Sequence, residues 1–264
     1  MKLDNKVIVV TGGGAGIGRA LCQRFTAEGA KAVIAVDLNG DAAAETAASG
    51  AAKGHYQVDV SNFDQMAAMI DDVETRFGPI DLFCSNAGIG LGDPDFDNAA
   101  SSSEEHWQRS WGVNVMAHVH AAKLLVPRMK ARGHGYFLNT VSAAGLLSQI
   151  GSATYSTTKH AAIGFAEALA IAHKDDGIRV SALCPQGVET AMLRSMAGNP
   201  ASLDGVLTPE DVAGIVVEAI EAERFLILPH EIVLKYMRNK TSDYERWIGG
   251  MVKLRRSIKA ARTD

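Results

Sequence analysis

Tyr155-Ser156-Thr157-Thr158-Lys159 sets a phenol and an ammonium four residues apart, the spacing that brings two side chains onto one face of a helix. A tyrosine ionises near pH 10 and is a poor base at neutral pH. A cation beside it favours the phenolate, and lowering its pKa by about 3 units takes roughly 4 kcal/mol of differential stabilisation. Such a pair suits proton exchange with a substrate oxygen. The spacing alone is not specific, because Tyr236 and Lys240 repeat it after the last expected strand. No suitable hydroxyl precedes that second pair, which reads as an ordinary surface pairing. The first pair is preceded by Ser142, at the end of the fifth expected strand, and by Asn114, inside a helix where an amide is not a preferred residue.

A second feature with chemical meaning is Thr11-Gly12-Gly13-Gly14-Ala15-Gly16-Ile17-Gly18, between the first apolar run and the first amphipathic stretch. Glycine permits a sharp turn there and lets a pyrophosphate approach main-chain N–H groups at a helix start. The spacing is G-x-x-x-G-x-G, not the commoner G-x-G-x-x-G dinucleotide fingerprint. Asp37 closes the second expected strand about twenty residues on. A carboxylate at that place accepts both ribose hydroxyls of an adenosine and repels a 2′-phosphate. Ala15 and Leu38 supply no cation for such a phosphate, so NAD is favoured over NADP. The competing reading of Asp37 is a cap for the next helix. A bound nicotinamide would bring a second positive charge to Tyr155.

The elements that must hold these groups alternate along the chain. Lys6–Thr11, Ala32–Asp37, His55–Val60, Asp81–Ser85, Tyr136–Val141, Arg179–Cys184 and Phe225–Leu228 read as strands. Between them lie amphipathic helices at Ile17–Glu28, Phe63–Phe77, about Glu104–Arg132 and about Ala153–Lys174. Thr208-Pro209-Glu210-Asp211 starts another, with a hydroxyl cap, a first-turn proline and acids facing the positive dipole end. Alternation of this kind implies crossover connections and an α/β fold: one Rossmann-type, doubly wound parallel sheet of about seven strands with helices on both faces. No linker divides the chain. The expectation is a single domain over 1–264, with 231–264 a helical extension at its C-terminus.

Composition narrows the classes. The chain has 264 residues, 47% hydrophobic and 21% charged, enough for a large core. A net charge of −4 argues against a general nucleic-acid surface. The polar start Met1–Lys6 is not an export signal, and no apolar run approaches the roughly 18 residues of a membrane span. Cys22, Cys84 and Cys184 are scattered through apolar stretches and form no metal-like pair. They read as buried thiols in a reducing cytoplasm, with no metal.

Taken in order and at their intervals, Thr11–Gly18, Asp37, Asp59-Val60, Asn86-Ala87-Gly88, Asn114, Ser142, Tyr155/Lys159 and Pro185-x-x-Val188-x-Thr190 resemble the short-chain dehydrogenase/reductase family. The likeness covers about residues 5–230. It implies that Tyr155 is the general acid/base, that Ser142 orients the substrate oxygen and that Lys159 holds the nicotinamide ribose. It further implies a water held by Asn114 in a proton relay, and pyrophosphate contacts from Gly12, Gly16, Ile17 and Gly18. Asp59 and Val60 would meet the adenine. Asn86, Ala87 and Gly88 would line the cofactor cleft, with Pro185, Val188 and Thr190 by the nicotinamide. Two positions depart from the family: Ser85 stands where Asn is usual, and Gln186 intervenes before Gly187.

The resemblance implies an NAD-dependent oxidoreductase moving a hydride between the cofactor and a secondary alcohol or ketone. The family layout puts Leu91, Ala144, Gln149, Gln186 and Met192 at the substrate, with Gly90, Leu146, Ile150, Val188 and Leu193 nearby. Most are apolar, so the substrate is expected to have a hydrophobic body. Gln186 as a solvent-facing loop residue is the competing reading. The alternatives are a non-catalytic NAD-binding regulator, or an epimerase or dehydratase on the same cofactor site. Ala191–Leu207 reads as a lid of irregular backbone. Trp107 and Trp111 share a helix face that in this family resembles a subunit interface, so a homodimer or homotetramer is expected; core packing of the two rings competes. In the tail, Tyr236, Met237, Trp247, Ile248, Met251, Val252 and Leu254 alternate with basic residues. Packing against its own or a neighbouring subunit is the favoured reading, and contact with a membrane surface the alternative.

Overall fold

Strands flanked by helices on both sides need no polar face, and the apolar runs of this chain are buried from end to end. β1 (Val7–Thr11), β4 (Leu82–Ser85) and β5 (Gly135–Thr140) are buried at every position. β2 (Ala32–Asp37) is buried up to Asp37, which reaches the cleft rim. β3 (Gly54–Gln57) alternates between half-buried and exposed, as an edge strand does. With β6 (Ile178–Leu183) and β7 (Leu226–Ile227) these form one parallel sheet in the order β3-β2-β1-β4-β5-β6-β7. The doubly wound fold expected from the alternation is therefore observed. The computed structural model describes residues 1–195 and 202–261.

The order reverses between β1 and β4, and a crevice opens there beyond the carboxyl ends of the strands. α3 (Phe63–Phe77), α5 (Ala117–Arg132) and α6 (Ala153–His173) cover one face, burying Ile70, Phe83, Leu125 and Phe137. α1 (Gly16–Ala27), α2 (Gly40–Ala48) and α8 (Pro209–Glu221) cover the other, over Ile8, Phe25, Tyr136 and Ile220. Thr208 caps α8 as the sequence suggested, and Asp211 reciprocates by accepting from the Thr208 amide, a capping box.

The long helix expected over Glu104–Arg132 is interrupted. α4 (Glu104–Trp111) passes through one wide turn, Gly112–Met116, before α5 begins. Inserted turns of this π type re-aim side chains and recur at functional sites. Here the turn carries Asn114. After β6, α7 (Ala191–Ser195) starts the expected lid, and Leu207 returns to pair with Val188 and Glu189. The centre of that lid, 196–201, with Gly198, Asn199 and Pro200, lies outside the described residues. α9 (Ile232–Ser242) and α10 (Tyr244–Ala261) make up the C-terminal extension.

The turn after β1 admits almost no side chain. Gly12 takes φ +66°, and a Cβ on Gly18 would sit 2.0 Å from the Gly12 carbonyl oxygen. Gly18→Ala is therefore expected to lower stability by about 1–3 kcal/mol, as read by urea unfolding, and to abolish dinucleotide binding. A variant of native stability would mean that the turn is looser than this contact requires.

Candidate active site

A cleft of about 730 Å³ runs along the carboxyl edge of the sheet and carries both chemical motifs. Gly12, Gly16, Ile17 and Gly18 line it from the glycine turn, Asp37 from β2, and Asp59 and Val60 from the loop after β3. Asn86, Ala87 and Gly88 enter after β4, Ser142 after β5, Tyr155 and Lys159 from α6, and Pro185, Val188 and Thr190 after β6. A Cβ on Gly14 would lie 2.9 Å from an Asp37 carboxylate oxygen, and the Gly14 amide donates to that oxygen at 3.0 Å. The other oxygen of Asp37 accepts from the Asn39 amide at 3.0 Å, while the side chain of Asn39 caps α2. Asp37 thus holds the turn and the helix start together while its carboxylate stays on the cleft.

Asn86 is a staple. Its amide nitrogen donates to the Thr11 carbonyl and its amide oxygen accepts from the Thr140 hydroxyl, both at 3.0 Å. It ties the ends of β1, β4 and β5 at the floor of the cleft. The Thr11 hydroxyl accepts from the Asn86 and Ala87 amides, which fixes the start of that loop. Asp59 accepts from both the amide and the hydroxyl of Ser61, shaping the turn after β3.

Ser142, Tyr155 and Lys159 form a compact group on the cleft wall. Burial raises the Tyr155 pKa, and the hydroxyl of Ser142 works against that rise. The Ser142 oxygen also accepts from the Ala144 amide at 3.1 Å. Lys159 is 2% exposed, and its Nζ lies 5.7 Å from the Tyr155 ring centre. That ammonium donates to the Thr140 carbonyl at 3.0 Å, and burial pulls its pKa down to about 8. Gly88 lies beside both Lys159 and Asn114, since a Cβ there would stand 3.4 Å from Lys159 Nζ and from Asn114 Oδ1. Asn114 is fully buried and lies off the cleft. Its amide oxygen accepts from the Ile89 amide, and its nitrogen donates to the Ile89 carbonyl and the Thr158 hydroxyl. Both amide protons are committed, and one lone pair on the oxygen is left over.

The substrate end departs from the sequence reading in several places. Ala144, Gln149, Gln186, Met192 and Leu193 line the cleft. Leu91 does not: its side chain is 38% exposed, and the Ser152 hydroxyl holds its carbonyl to the start of α6. Gly90, Leu146 and Ile150 also lie off the cleft. Leu147 takes the place expected of Leu146, because the short helical turn Ala143–Gly145 rotates the next residue outward and the following one in. Gln186 lines the mouth and donates to Asp204 Oδ2 at 3.1 Å, so it is not a free loop residue. Trp107 is half-buried and Trp111 is 42% exposed, so neither ring belongs to the core.

The second Tyr-x-x-x-Lys pair corrects the sequence reading most sharply. Lys240 is 8% exposed and not at the surface. Its Nζ donates to the Leu146 and Leu147 carbonyls at 2.9 and 2.8 Å and meets His160 Nε2 at 3.2 Å. Tyr236 lines the cleft and donates to Asp204 Oδ1 at 2.9 Å. Trp247, Met251 and Leu254 of α10 line the cleft as well. The signal was present: Val233, Tyr236, Met237 and Lys240 fall at i, i+3, i+4 and i+7, a helix face turned inward.

Residues 6–200 match the family model described as short chain dehydrogenase. The chain is 34% identical to a 1-deoxy-11-beta-hydroxypentalenate dehydrogenase from Streptomyces exfoliatus, over 94% of this chain and 91% of that one. It is 33% identical to a meso-2,3-butanediol dehydrogenase from Serratia marcescens, over 82% and 87% of the two chains. Its structure superposes on that of a short chain dehydrogenase/reductase from Burkholderia phymatum in complex with NAD, with a TM-score of 0.83 and 31% identity, covering 93% and 96%.

Lys159 makes the site unstable in a way that can be measured. Its folded pKa lies near 8, below the ordinary 10.5, so the unfolded chain holds the proton more tightly. The penalty for burying the charge is complete below pH 8 and fades as the pH rises toward 10.5. Lys159→Met is expected to stabilise the cofactor-free protein by about 1–3 kcal/mol at pH 7, with that advantage shrinking between pH 8 and 10. A variant less stable than the native protein at pH 7 would show that the Thr140 bond outweighs desolvation.

Proposed function

The chain belongs to the short-chain dehydrogenase family, and from that premise we propose that it oxidises or reduces a secondary alcohol/ketone pair with NAD, using Tyr155 as the acid/base. It is an oxidoreductase acting on CH–OH groups. The observation that carries the assignment is the meeting of Ser142, Tyr155 and Lys159 at one end of a cleft whose other end is the glycine turn.

Bound NAD⁺ supplies the hydride acceptor and a positive ring. A Cβ at Gly12, Gly14 or Gly18 would meet protein atoms at or within about 3 Å, so glycine keeps this turn tight, and the helix start beyond it at Gly16 offers main-chain N–H groups to a pyrophosphate. Gly12, Gly16, Ile17 and Gly18 hold it there, with Asp59 and Val60 at the adenine. Asp37 accepts the adenosine ribose hydroxyls and disfavours a 2′-phosphate, which makes NAD the cofactor rather than NADP. Pro185, Val188 and Thr190 hold the nicotinamide end beside Ala87 and Gly88.

Ser142 orients the substrate oxygen by a hydrogen bond and stabilises charge on it. Tyr155 takes the carbinol proton in oxidation and returns it in reduction. Burial alone works against the phenolate, so the ammonium of Lys159 and the cationic cofactor are what make the group usable at neutral pH. Lys159 has three N–H donors; with one on Thr140 among the described residues, two are left for a ribose. Asn114 fixes Ile89 and Thr158 around that lysine, and its remaining lone pair holds a relay water.

The apolar lining from Ala144, Leu147, Met192 and Leu193 favours a hydrophobic substrate body, with Gln149 and Gln186 at its polar margins. The exposed Trp111 and the 82% exposed Ile171 suit burial against a second copy, so a homo-oligomer is proposed. The cysteines are free and buried, and burial raises all three thiols, in keeping with a reducing, cytoplasmic setting. Among the described residues no helix is long and apolar enough to cross a membrane. We read the whole chain as one domain, with 231–264 closing the substrate end.

The direct test is NADH formation by the purified protein with NAD⁺ or NADP⁺ and a panel of apolar secondary alcohols. Turnover is expected with NAD⁺ and should fall by about 10²–10⁴-fold in Tyr155→Phe, while NADH binding survives. Equal turnover in that variant would remove Tyr155 from the chemistry. Asp37→Ala should shift the kcat/KM ratio toward NADP⁺; an unchanged ratio would leave Asp37 as a structural tie only.

A further inference from the structure

Trp247, Met251 and Leu254 stand at i, i+4 and i+7 and form one stripe of α10. None is buried as core is buried, and α10 has no fully buried residue at all. The stripe instead borders the cleft, where it joins Leu147, Met192 and Leu203.

Both ends of this wall are fastened. At the near end Lys240 has three donors, and each has a partner: the Leu146 and Leu147 carbonyls and His160 Nε2. The imidazole is oriented for that contact, because its Nδ1 lies 2.8 Å from the Ser156 carbonyl and donates there, leaving Nε2 to accept. Leu146 and Leu147 follow the turn that begins at Ser142, and His160 follows Lys159 directly. Val233 and Leu147, with Tyr236, Met237 and Trp247 beside them, form a small apolar cluster around this junction. At the far end Arg255 donates to the Phe96 carbonyl and, with Lys259, grips Asp97.

We propose that α9 and α10 are a size-selecting wall of the substrate site, that Lys240 is the positioning residue which seats this wall against the catalytic loop, and that the wall fits a fused-ring alcohol or ketone. The inference rests on the reading of Tyr155 as the acid/base of a carbinol reaction and deepens it. Burial depresses the Lys240 pKa, so the ammonium is stable there only through its three acceptors. Replacing it by an apolar chain of similar length removes the fastening without touching Ser142, Tyr155 or the glycine turn.

The test is calorimetric titration of the full-length protein, loaded with NAD⁺, with 2-decalone and with cyclohexanone. A ketone and the oxidised cofactor do not react, so binding is read without turnover. The native protein is expected to bind 2-decalone at least about tenfold more tightly than cyclohexanone, and Lys240→Met to erase about tenfold of that preference with NAD⁺ affinity kept. Equal affinity for the two ketones in the native protein would overturn the proposal. So would a preference that persists in Lys240→Met, or a parallel loss of both ketones. Should Lys240→Met fail to fold, Trp247→Ala decides: loss of preference supports the wall, and its retention overturns it. Failure of the underlying reading shows separately, as no NADH from 2-decalol or cyclohexanol with native protein.

Discussion

Everything at the cleft is arranged around one unfavourable act, the burial of the Lys159 ammonium at the carboxyl edge of the sheet. A charge with 2% exposure must be held by dipoles, and the end of a buried strand supplies one in the Thr140 carbonyl. α6 packs along β6 and against the turn after β5, and from there the lysine reaches the Thr140 carbonyl at the end of β5. Asn114 supplies a back wall beside the lysine through Ile89 and Thr158. The wide turn at Gly112–Met116 carries that amide. The buried ammonium stands 5.7 Å from the Tyr155 ring centre, where water screens its field little.

The sheet order serves this arrangement. Reversal between β1 and β4 leaves one crevice, and the loops after β1, β4, β5 and β6 all empty into it. Asn86 joins the ends of β1, β4 and β5, so the dinucleotide floor and the acid–base group share one rigid base. A hydride moves only over a short, fixed distance, and a base stapled across strands holds that distance better than loops alone.

The parts legible in the sequence are those fixed by local rules. Strands buried on both faces read as apolar runs, the glycine turn is written by contacts that leave no room for a Cβ, and Thr208 and Asp211 declare a helix start by type. What was not legible depends on partners distant in the chain. The break at Asn114 answers to Ile89, twenty-five residues away, and periodicity does not show it. Leu146 and Leu147 exchange roles through a single helical turn, below the precision of a pattern. Leu91 was placed by family layout, yet its loop is set by Ser152. The depth of Lys240 escaped notice because its acceptors include main-chain carbonyls, which no residue type announces.

The two Tyr-x-x-x-Lys pairs show what spacing can and cannot carry. Both lie on helices, and both lysines are buried with depressed pKa values. They differ in how fully their donors are used. Lys240 meets acceptors with all three donors and has none left for a ligand, so its charge can only hold structure. Lys159 meets one acceptor among the described residues, and two donors remain beside an open cleft. A buried cation with unused donors is costly unless something arrives to take them. Under the proposed function these same donors are the ones offered to a ribose. Saturation of the lysine, rather than its distance from a tyrosine, separates the chemical pair from the architectural one.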